Sequence, residues 1–415
     1  MYGQMFNVTI SQESGRSYLP RHTNHVHSPV EALDILNDLV KWFLFTSGND
    51  SRTPSEDFSN TMEAIISSLH NPKEHTMGEA LHTYVFQRIH QEIQRNDWRE
   101  IRVIGSLQRN PPAVKAVWET HRPARPFNFQ RPTVLFTDDG TLELHCFPSR
   151  SFVEHYKMVV AIYLALRGSR CILSAISPPL SEPLRIFRQS RLSQLGPADI
   201  AIFGDVDCLS KLPPGQWWKV NRTADDLFAW QKYCSSTGKT IALLGCKEGF
   251  WGEAGSAIIY ALKEMSQIEC AVYVGKVGAL NGEYTPNEWI ATGNEAYLGN
   301  RSCSVKWRNP LESSIRDHRG IATGKLVTVS SPLYETHGWL QQWDKTATWV
   351  DCDTGHMAVA AEETKVQFGY LHIVSDCLAA KYKDNLSNED DDSVKERRQT
   401  LYRRIEDIIT TFVSS

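Results

Sequence analysis

Residues 350–376 constrain the fold of this chain more than any other segment. Asp353 opens a run of small residues typical of a helix, and an apolar run at 370–374 then leads into Ser375 and Asp376. A short apolar run bounded by polar residues indicates a buried strand. Because α/β proteins bind ligands beyond the carboxyl ends of their strands, Asp376 is predicted to be a functional carboxylate at a strand end.

Length and composition limit the kinds of protein that the chain can be. Its 415 residues, 41% of them hydrophobic and 22% charged, are enough for a large core and for two domains. The formal net charge of −4 provides no overall basic field, so nucleic acid is not an expected partner. No apolar run reaches membrane-spanning length, so a membrane is not an expected partner either.

The nine cysteines bear on compartment and on metal content. Their number is odd and none forms a Cys-x-x-Cys pair, which disfavours a disulfide framework and a zinc site and favours a reducing compartment. The N-terminus also lacks the basic-then-apolar pattern of a signal peptide. We therefore expect a cytoplasmic protein that needs no metal and no cofactor.

The periodicity of the chain changes near residue 128. Residues 1–128 carry helical apolar stripes with capping motifs, for example at Thr76 and Glu79. Beyond Pro132 two strand-like segments flank the hairpin signal Asp138-Asp139-Gly140. We therefore predict a mostly helical N-terminal region, 1–128, of open role, followed by an α/β domain, 129–415, that ends on a helix.

The order of the segments resembles the purine nucleoside phosphorylase and methylthioadenosine nucleosidase superfamily. There a Val-Glu-Met-Glu segment, a small-residue helix and a strand ending in Ser-Asp follow one another, as residues 350–376 do here. The resemblance extends over residues 168–413. It implies a three-layer α/β domain with a central mixed β-sheet, and family members form homo-oligomers.

The resemblance implies roles for the acidic segment. Asp376 would be the general acid that faces N7 of the purine, and Asp353 would hold the ribose hydroxyls. Asp351 and Cys352 would stand where the family has its first glutamate and its methionine. Ser375 would precede the acid, as the family serine does.

A second matching segment is a glycine-containing turn after a strand. Gly275 and Gly278 match the family turn that binds phosphate or water near the anomeric carbon, and Lys276 takes the usual Ser or Thr place. Glycines let the backbone approach an anion closely, and a lysine can bind phosphate as a point charge. The bound phosphate would be inorganic phosphate or part of a nucleotide.

Two further matches concern the base and the nucleophile. The strand that leads to Ser331 and Tyr334 resembles one whose aromatic residue stacks on the base, although Pro332 replaces the family aspartate. Tyr334 is therefore the predicted stacking residue. Residues 171–184 resemble the opening strand of the nucleosidases, which makes Glu182 the predicted base that activates water.

The resemblance implies cleavage of the N-glycosidic bond of a purine nucleoside or nucleotide. Water as nucleophile would make the protein a nucleosidase, and phosphate would make it a phosphorylase. We favour water, because Lys276 is preceded by Tyr273 rather than by the basic groups that a phosphate dianion needs. The departures at Lys276, Pro332 and Cys352 also fit a non-catalytic nucleotide-binding regulatory module, and residues 1–128 could act as a sensor for an effector nucleosidase.

Overall fold

The computed structural model describes residues 71–107, 116–117, 127–128, 131–136, 139–212, 227–299, 304–316 and 318–415. Most of the predicted helical region, 1–128, lies outside these ranges, so its helical character stays a prediction. The helices and strands of the described residues follow one another in this order: α1 (Ala80–Phe86), α2 (Gln91–Arg95), β1 (Glu100–Gly105), β2 (Ala116–Val117), β3 (Thr133–Phe136), β4 (Thr141–Cys146), α3 (Arg150–Leu166), β5 (Ile172–Ile176), α4 (Glu182–Gln189), β6 (Ile200–Gly204), β7 (Phe228–Cys234), β8 (Thr240–Cys246), α5 (Glu253–Ser266), β9 (Cys270–Ala279), β10 (Ile290–Thr292), β11 (Glu295–Leu298), β12 (Ser304–Lys306), α6 (Glu312–Ile315), β13 (Ile321–Thr323), β14 (Leu326–Thr328), α7 (His337–Trp343), β15 (Trp349–Asp351), α8 (Thr354–Thr364), β16 (Gln367–Cys377) and α9 (Asp392–Ser414).

The larger of the two sheets in the described ranges is mixed and has the long parallel strands β9 and β16 side by side. Strand β6 runs parallel to both β8 and β9, whereas β15 runs antiparallel to β9. These strands are apolar along nearly their whole length and buried, as strands covered on both faces must be. The prediction of an α/β fold with a central mixed sheet is confirmed.

Helices cover this sheet. The apolar stripe of α9, including Leu401, Ile405 and Ile408, packs in one core with Ile202 of β6 and Ile373 of β16. Helices α5 and α8 pack against each other, and α8 contacts β11, β14 and β16. No helix in the described ranges is both long enough and apolar enough to cross a membrane.

The smaller sheet has the strand order β2-β3-β4-β1-β5 and packs against α3. Strands β3 and β4 form the antiparallel hairpin that the Asp-Asp-Gly signal predicts. This sheet has strands on both sides of residue 128, and the division of the chain there stays a prediction. Strand β5 was expected to open the nucleosidase-like sheet, but it pairs with β1 instead. A short apolar run predicts a strand, but the sequence does not specify its partner.

Candidate active site

The carboxyl ends of β9 and β16 meet at a cavity of about 210 Å³. The strands are paired in parallel up to Val374, where a β-bulge shifts the register so that Asp376 lies opposite Gly278. Bulges redirect side chains next to functional sites. The predicted site residues that line this cavity are Gly275, Lys276, Gly278, Asp351, Cys352, Asp353, Ser375 and Asp376.

Asp376 has the environment of a general acid. The carboxyl is buried, and the hydroxyl oxygen of Ser375 lies 2.7 Å from its Oδ1. Burial raises the pKa of Asp376 to about 6, while the hydrogen bond from Ser375 opposes this change. A carboxyl with this pKa is partly protonated near neutral pH, so it can donate a proton to a leaving group.

Gly278 leaves the space that the Asp376 carboxyl occupies. A Cβ at this position would lie 2.8 Å from Leu378 Cδ1 and 3.2 Å from Asp376 Oδ2. We expect Gly278→Ala to displace the carboxyl, lower activity at least tenfold and destabilise the fold by about 1–3 kcal/mol. The measurement is activity and thermal unfolding beside Gly282→Ala, whose Cβ would lie 3.6 Å from Ala380 Cβ. Equal activity of the two variants would show that the site tolerates a side chain at 278.

Asp351 and Asp353, the two aspartates before α8, make different contacts. Asp351 Oδ2 accepts a hydrogen bond of 2.9 Å from the amide of Thr354, at the helix N-terminus, and its Oδ1 accepts one of 2.7 Å from the Thr328 hydroxyl. Asp353 is the N-cap residue by position, yet its side chain makes no capping bond. Its Oδ2 instead accepts a hydrogen bond of 2.7 Å from the Tyr273 hydroxyl. Asp351 therefore supports the turn, and Asp353 is available to the cavity.

Electrostatics favour the neutral form of Asp353. Burial raises the pKa of Asp353 well above its usual range, and the neighbouring Asp351 raises it further. The hydrogen bond from Tyr273 acts in the opposite direction. A ligand that donates hydroxyl hydrogen bonds to Asp353 would favour its ionised form.

One group in the described ranges could hold a metal ion. Asp351, Asp353 and His372 each offer a ligand atom, and these atoms lie within 4.8 Å of one another. Both oxygens of Asp351 already accept hydrogen bonds, and His372 Nε2 lies 2.9 Å from the Thr354 hydroxyl. Burial lowers the pKa of His372 to about 4, so the ring is neutral. A metal would have to displace this network, which otherwise supports Asp353.

The Lys276 side chain is already paired. Its Nζ lies 2.5 Å from Glu389 Oε1, and the same oxygen lies 3.0 Å from Arg398 Nη1. The run 388–392 reads from its sequence as a solvated acidic loop, but Glu389 is buried and lines the cavity. Glu389 can be buried because two cations, Lys276 and Arg398 of α9, compensate its charge.

Three predicted site residues lie elsewhere. The Tyr334 hydroxyl donates a hydrogen bond to Glu154, and Tyr334 does not line the cavity. Ser331 does not line the cavity itself, but its Oγ lies 2.9 Å from Nδ1 of His155, which does. Glu182 begins α4 and accepts a hydrogen bond of 2.7 Å from Arg185 Nε, away from the cavity. Tyr334 and Glu182 therefore do not form part of the site as the structure has it.

Sequence reasoning missed several residues that line the cavity. Asp205 follows β6 and accepts a hydrogen bond of 2.6 Å from the Tyr402 hydroxyl, so the rule that identified Asp376 could have found it. Glu335 is buried beside the cavity, and burial followed by the charge of Asp376 raises its pKa well above the usual range. The aromatic lining residues are Tyr84, Phe152, Tyr156, Phe250, Trp251 and Tyr273.

Comparisons with known proteins give matches among solved structures. No protein-family model matches the chain, and no curated protein matches it. A 5′-methylthioadenosine/S-adenosylhomocysteine nucleosidase from Helicobacter pylori is 11% identical, covers 52% of this chain and 98% of its own, and has a TM-score of 0.41. The corresponding enzyme from Neisseria meningitidis is 12% identical, with 52% and 99% covered and a TM-score of 0.40. A futalosine hydrolase mutant of Helicobacter pylori is 10% identical, with 51% and 99% covered and a TM-score of 0.41. These proteins are from the superfamily that the sequence resembles, and the chemistry proposed below rests on the cavity's own residues.

Proposed function

We propose that this chain hydrolyses the N-glycosidic bond of a purine nucleoside or nucleotide. Asp376 is the general acid at N7, and Asp353 binds the ribose hydroxyls. The observation that carries the proposal is the buried Asp376 carboxyl, with its pKa raised to about 6, in one cavity with Asp353.

The proposed chemistry uses one carboxyl for the base and another for the sugar. Cleavage of a glycosidic bond passes through an oxocarbenium-like state, and the departing base must gain a proton. Protonated Asp376 donates that proton, so the purine leaves as a neutral molecule. Ionised Asp353, bound to the hydroxyls, stabilises the positive charge that develops on the sugar. The apolar faces of Phe250 and Trp251, in the same cavity, offer packing surfaces for the base.

The paired lysine supports water as the nucleophile. Gly275, Lys276 and Gly278 were predicted to form a turn, but they lie within strand β9. A phosphate dianion there would meet a lysine that is already paired with Glu389 at 2.5 Å. The dianion would have to compete with this carboxylate for the lysine, so this part of β9 is poorly suited to phosphate. A neutral water molecule does not need the lysine as a partner.

The nucleophile is tested by the sugar product. We expect free base to form at the same rate with and without millimolar inorganic phosphate, because no phosphate enters the reaction. The measurement is chromatography of the base together with mass spectrometry of the sugar, in ordinary water and in water enriched in oxygen-18. Heavy oxygen at the anomeric carbon is the expected result. Formation of a sugar 1-phosphate, only when phosphate is present, would establish phosphorolysis instead.

A further inference from the structure

A second cavity adjoins the candidate active site on the side of α1 and α2. Its volume is about 420 Å³, and the two cavities share Arg88, Arg131, Leu386 and Glu389. The other polar residues that line it are Gln87, Gln91, Gln94, Arg95 and Asp390. A substrate in the first cavity could therefore extend into polar space past two guanidinium groups.

The strand-end carboxylates and the two shared arginines come from different parts of the fold. Asp351, Asp353 and Asp376 lie at the strand ends of the larger sheet, whereas Arg88 follows α1 and Arg131 precedes β3. Both arginines line the junction between the two cavities. These two arginines therefore come from segments outside the larger sheet.

The charges of Arg88 and Arg131 both act on the buried ring of His155. Burial lowers the pKa of His155 well below its usual value, and the charges of Arg88 and Arg131 lower it further. The ring itself lines the cavity and is fixed by Ser331, 2.9 Å from its Nδ1. The histidine is therefore neutral and does not repel an additional cation or attract an anion by charge.

The Tyr84 residue holds the Arg88 guanidinium in place. The guanidinium carbon lies 3.4 Å from the centroid of the Tyr84 ring, and Nη1 donates a hydrogen bond of 3.2 Å to the Tyr84 carbonyl. In the part of the chain that the structure describes, Arg88 forms no ion pair. Glu389 also lines the junction, but Lys276 and Arg398 offset its charge. A stacked guanidinium with unused N–H groups is suited to a phosphate.

We propose that Arg88 and Arg131 bind a phosphate group on the 5′ carbon of the substrate sugar, which makes the substrate a purine nucleotide. This inference rests on the function proposed above. In the proposed function, Asp376 contacts the base and Asp353 contacts the ribose hydroxyls. The 5′ carbon is the remaining substituent of the sugar, and we expect it to point toward the junction of the two cavities. Free inorganic phosphate could bind the same two arginines as a 5′-phosphate group. To act as a nucleophile, however, it would have to reach the anomeric carbon.

The test compares a purine nucleoside 5′-monophosphate with its nucleoside. We expect kcat/KM of the wild type to favour the nucleotide by about 100-fold, and Arg88→Gln or Arg131→Gln to lower kcat/KM for the nucleotide by about 10- to 100-fold, chiefly through KM. Nucleoside cleavage should stay within about twofold of the wild type in both variants. Arg188→Gln removes a surface arginine paired with Glu264 and is the matched control.

Several results would overturn this inference while leaving the proposed function intact. One is a wild type that cleaves the nucleoside as well as the nucleotide, and another is an equal loss for both substrates in the arginine variants. Acceleration of nucleoside cleavage by inorganic phosphate, lost in Arg88→Gln, would assign the site to free phosphate. Failure of base release from every substrate would contradict the proposed function instead. Calorimetric binding affinities would then test the inference. The inference requires that the wild type binds the nucleotide more tightly than the nucleoside and that the arginine variants bind the two equally.

Discussion

We expect Asp376→Asn to lower the rate of base release by about 10²- to 10⁴-fold, the usual contribution of a general acid. Asparagine keeps the size of the side chain and the hydrogen bond with Ser375, but it carries no acidic proton. In the wild type, the rate should fall as pH rises through about 6, because Asp376 must be protonated to act. The measurement is single-turnover base release from pH 5 to pH 8. A variant that keeps the wild-type rate and pH profile would remove Asp376 from the mechanism.

The same substitution should stabilise the fold at high pH. Burial raises the pKa of Asp376 to about 6, above the unfolded value, so this carboxyl destabilises the native state as pH rises through 6. The asparagine side chain in the variant carries no charge to bury. We therefore expect the free energy of unfolding to increase by up to about 3 kcal/mol at pH 8, and not to change below pH 4.

A matched control distinguishes the effect of the buried Asp376 charge from the effect of replacing any aspartate by asparagine. Asp344→Asn makes the same chemical change at an exposed residue after α7, and we expect neither activity nor stability to respond. A gain in stability at pH 8 with a loss of activity identifies a residue whose burial serves function. A loss of stability in Asp376→Asn at pH 8 would show that the surroundings stabilise the ionised carboxylate by more than its burial destabilises it.

The second large effect concerns Asp353. We expect Asp353→Ala to lower kcat/KM for a ribonucleoside or ribonucleotide by about 10²-fold, because hydrogen bonds from the hydroxyls to a charged acceptor contribute about 1.5–3 kcal/mol each. Tyr273→Phe removes the hydroxyl that donates to Asp353 Oδ2 and should have a smaller effect, of about tenfold or less. The measurement is steady-state kinetics on both variants.

A substrate without sugar hydroxyls provides the control for Asp353. On a 2′,3′-dideoxy analogue, wild type and Asp353→Ala should differ by much less than on the ribose compound, because the interaction is missing in both. A loss that is equally large on both substrates would mean that Asp353 supports the cavity rather than binding the hydroxyls. Thermal unfolding of the variant distinguishes a folded protein from a damaged one.

The strand-end carboxylates were the most predictable part of the site. Asp376 was predicted from the apolar run before it, which is a local pattern, whereas the role of Asp353 was implied by the resemblance of residues 350–376 to the family segment. The same rule applied to residues 200–204 would have yielded Asp205. Gly278 was predicted to belong to a turn, but it lies within strand β9. Its closeness to Asp376 depends on the pairing of β9 with β16 and could not be read from either segment alone.

The residues that sequence reasoning missed or misplaced depend on contacts between distant segments. The backbone carbonyl of Glu335 accepts hydrogen bonds from Thr76 at 3.1 and 2.6 Å, and no local pattern indicates this pairing. Glu389 appeared solvated because its partners, Lys276 and Arg398, come from β9 and α9. Glu182 was assigned through a strand that belongs to the smaller sheet. Strand patterns are local, whereas pairing and charge compensation are tertiary properties.

The most direct test of the central claim is to quantify free purine base and substrate binding in the same samples of the full chain. The substrates are adenosine, guanosine and their 5′-monophosphates, without phosphate, with wild type and Asp376→Asn side by side. We predict that the wild type releases base from at least one of them, whereas Asp376→Asn binds that substrate and releases almost none. Binding without base release by the wild type would contradict the account and would identify a non-catalytic nucleotide-binding module.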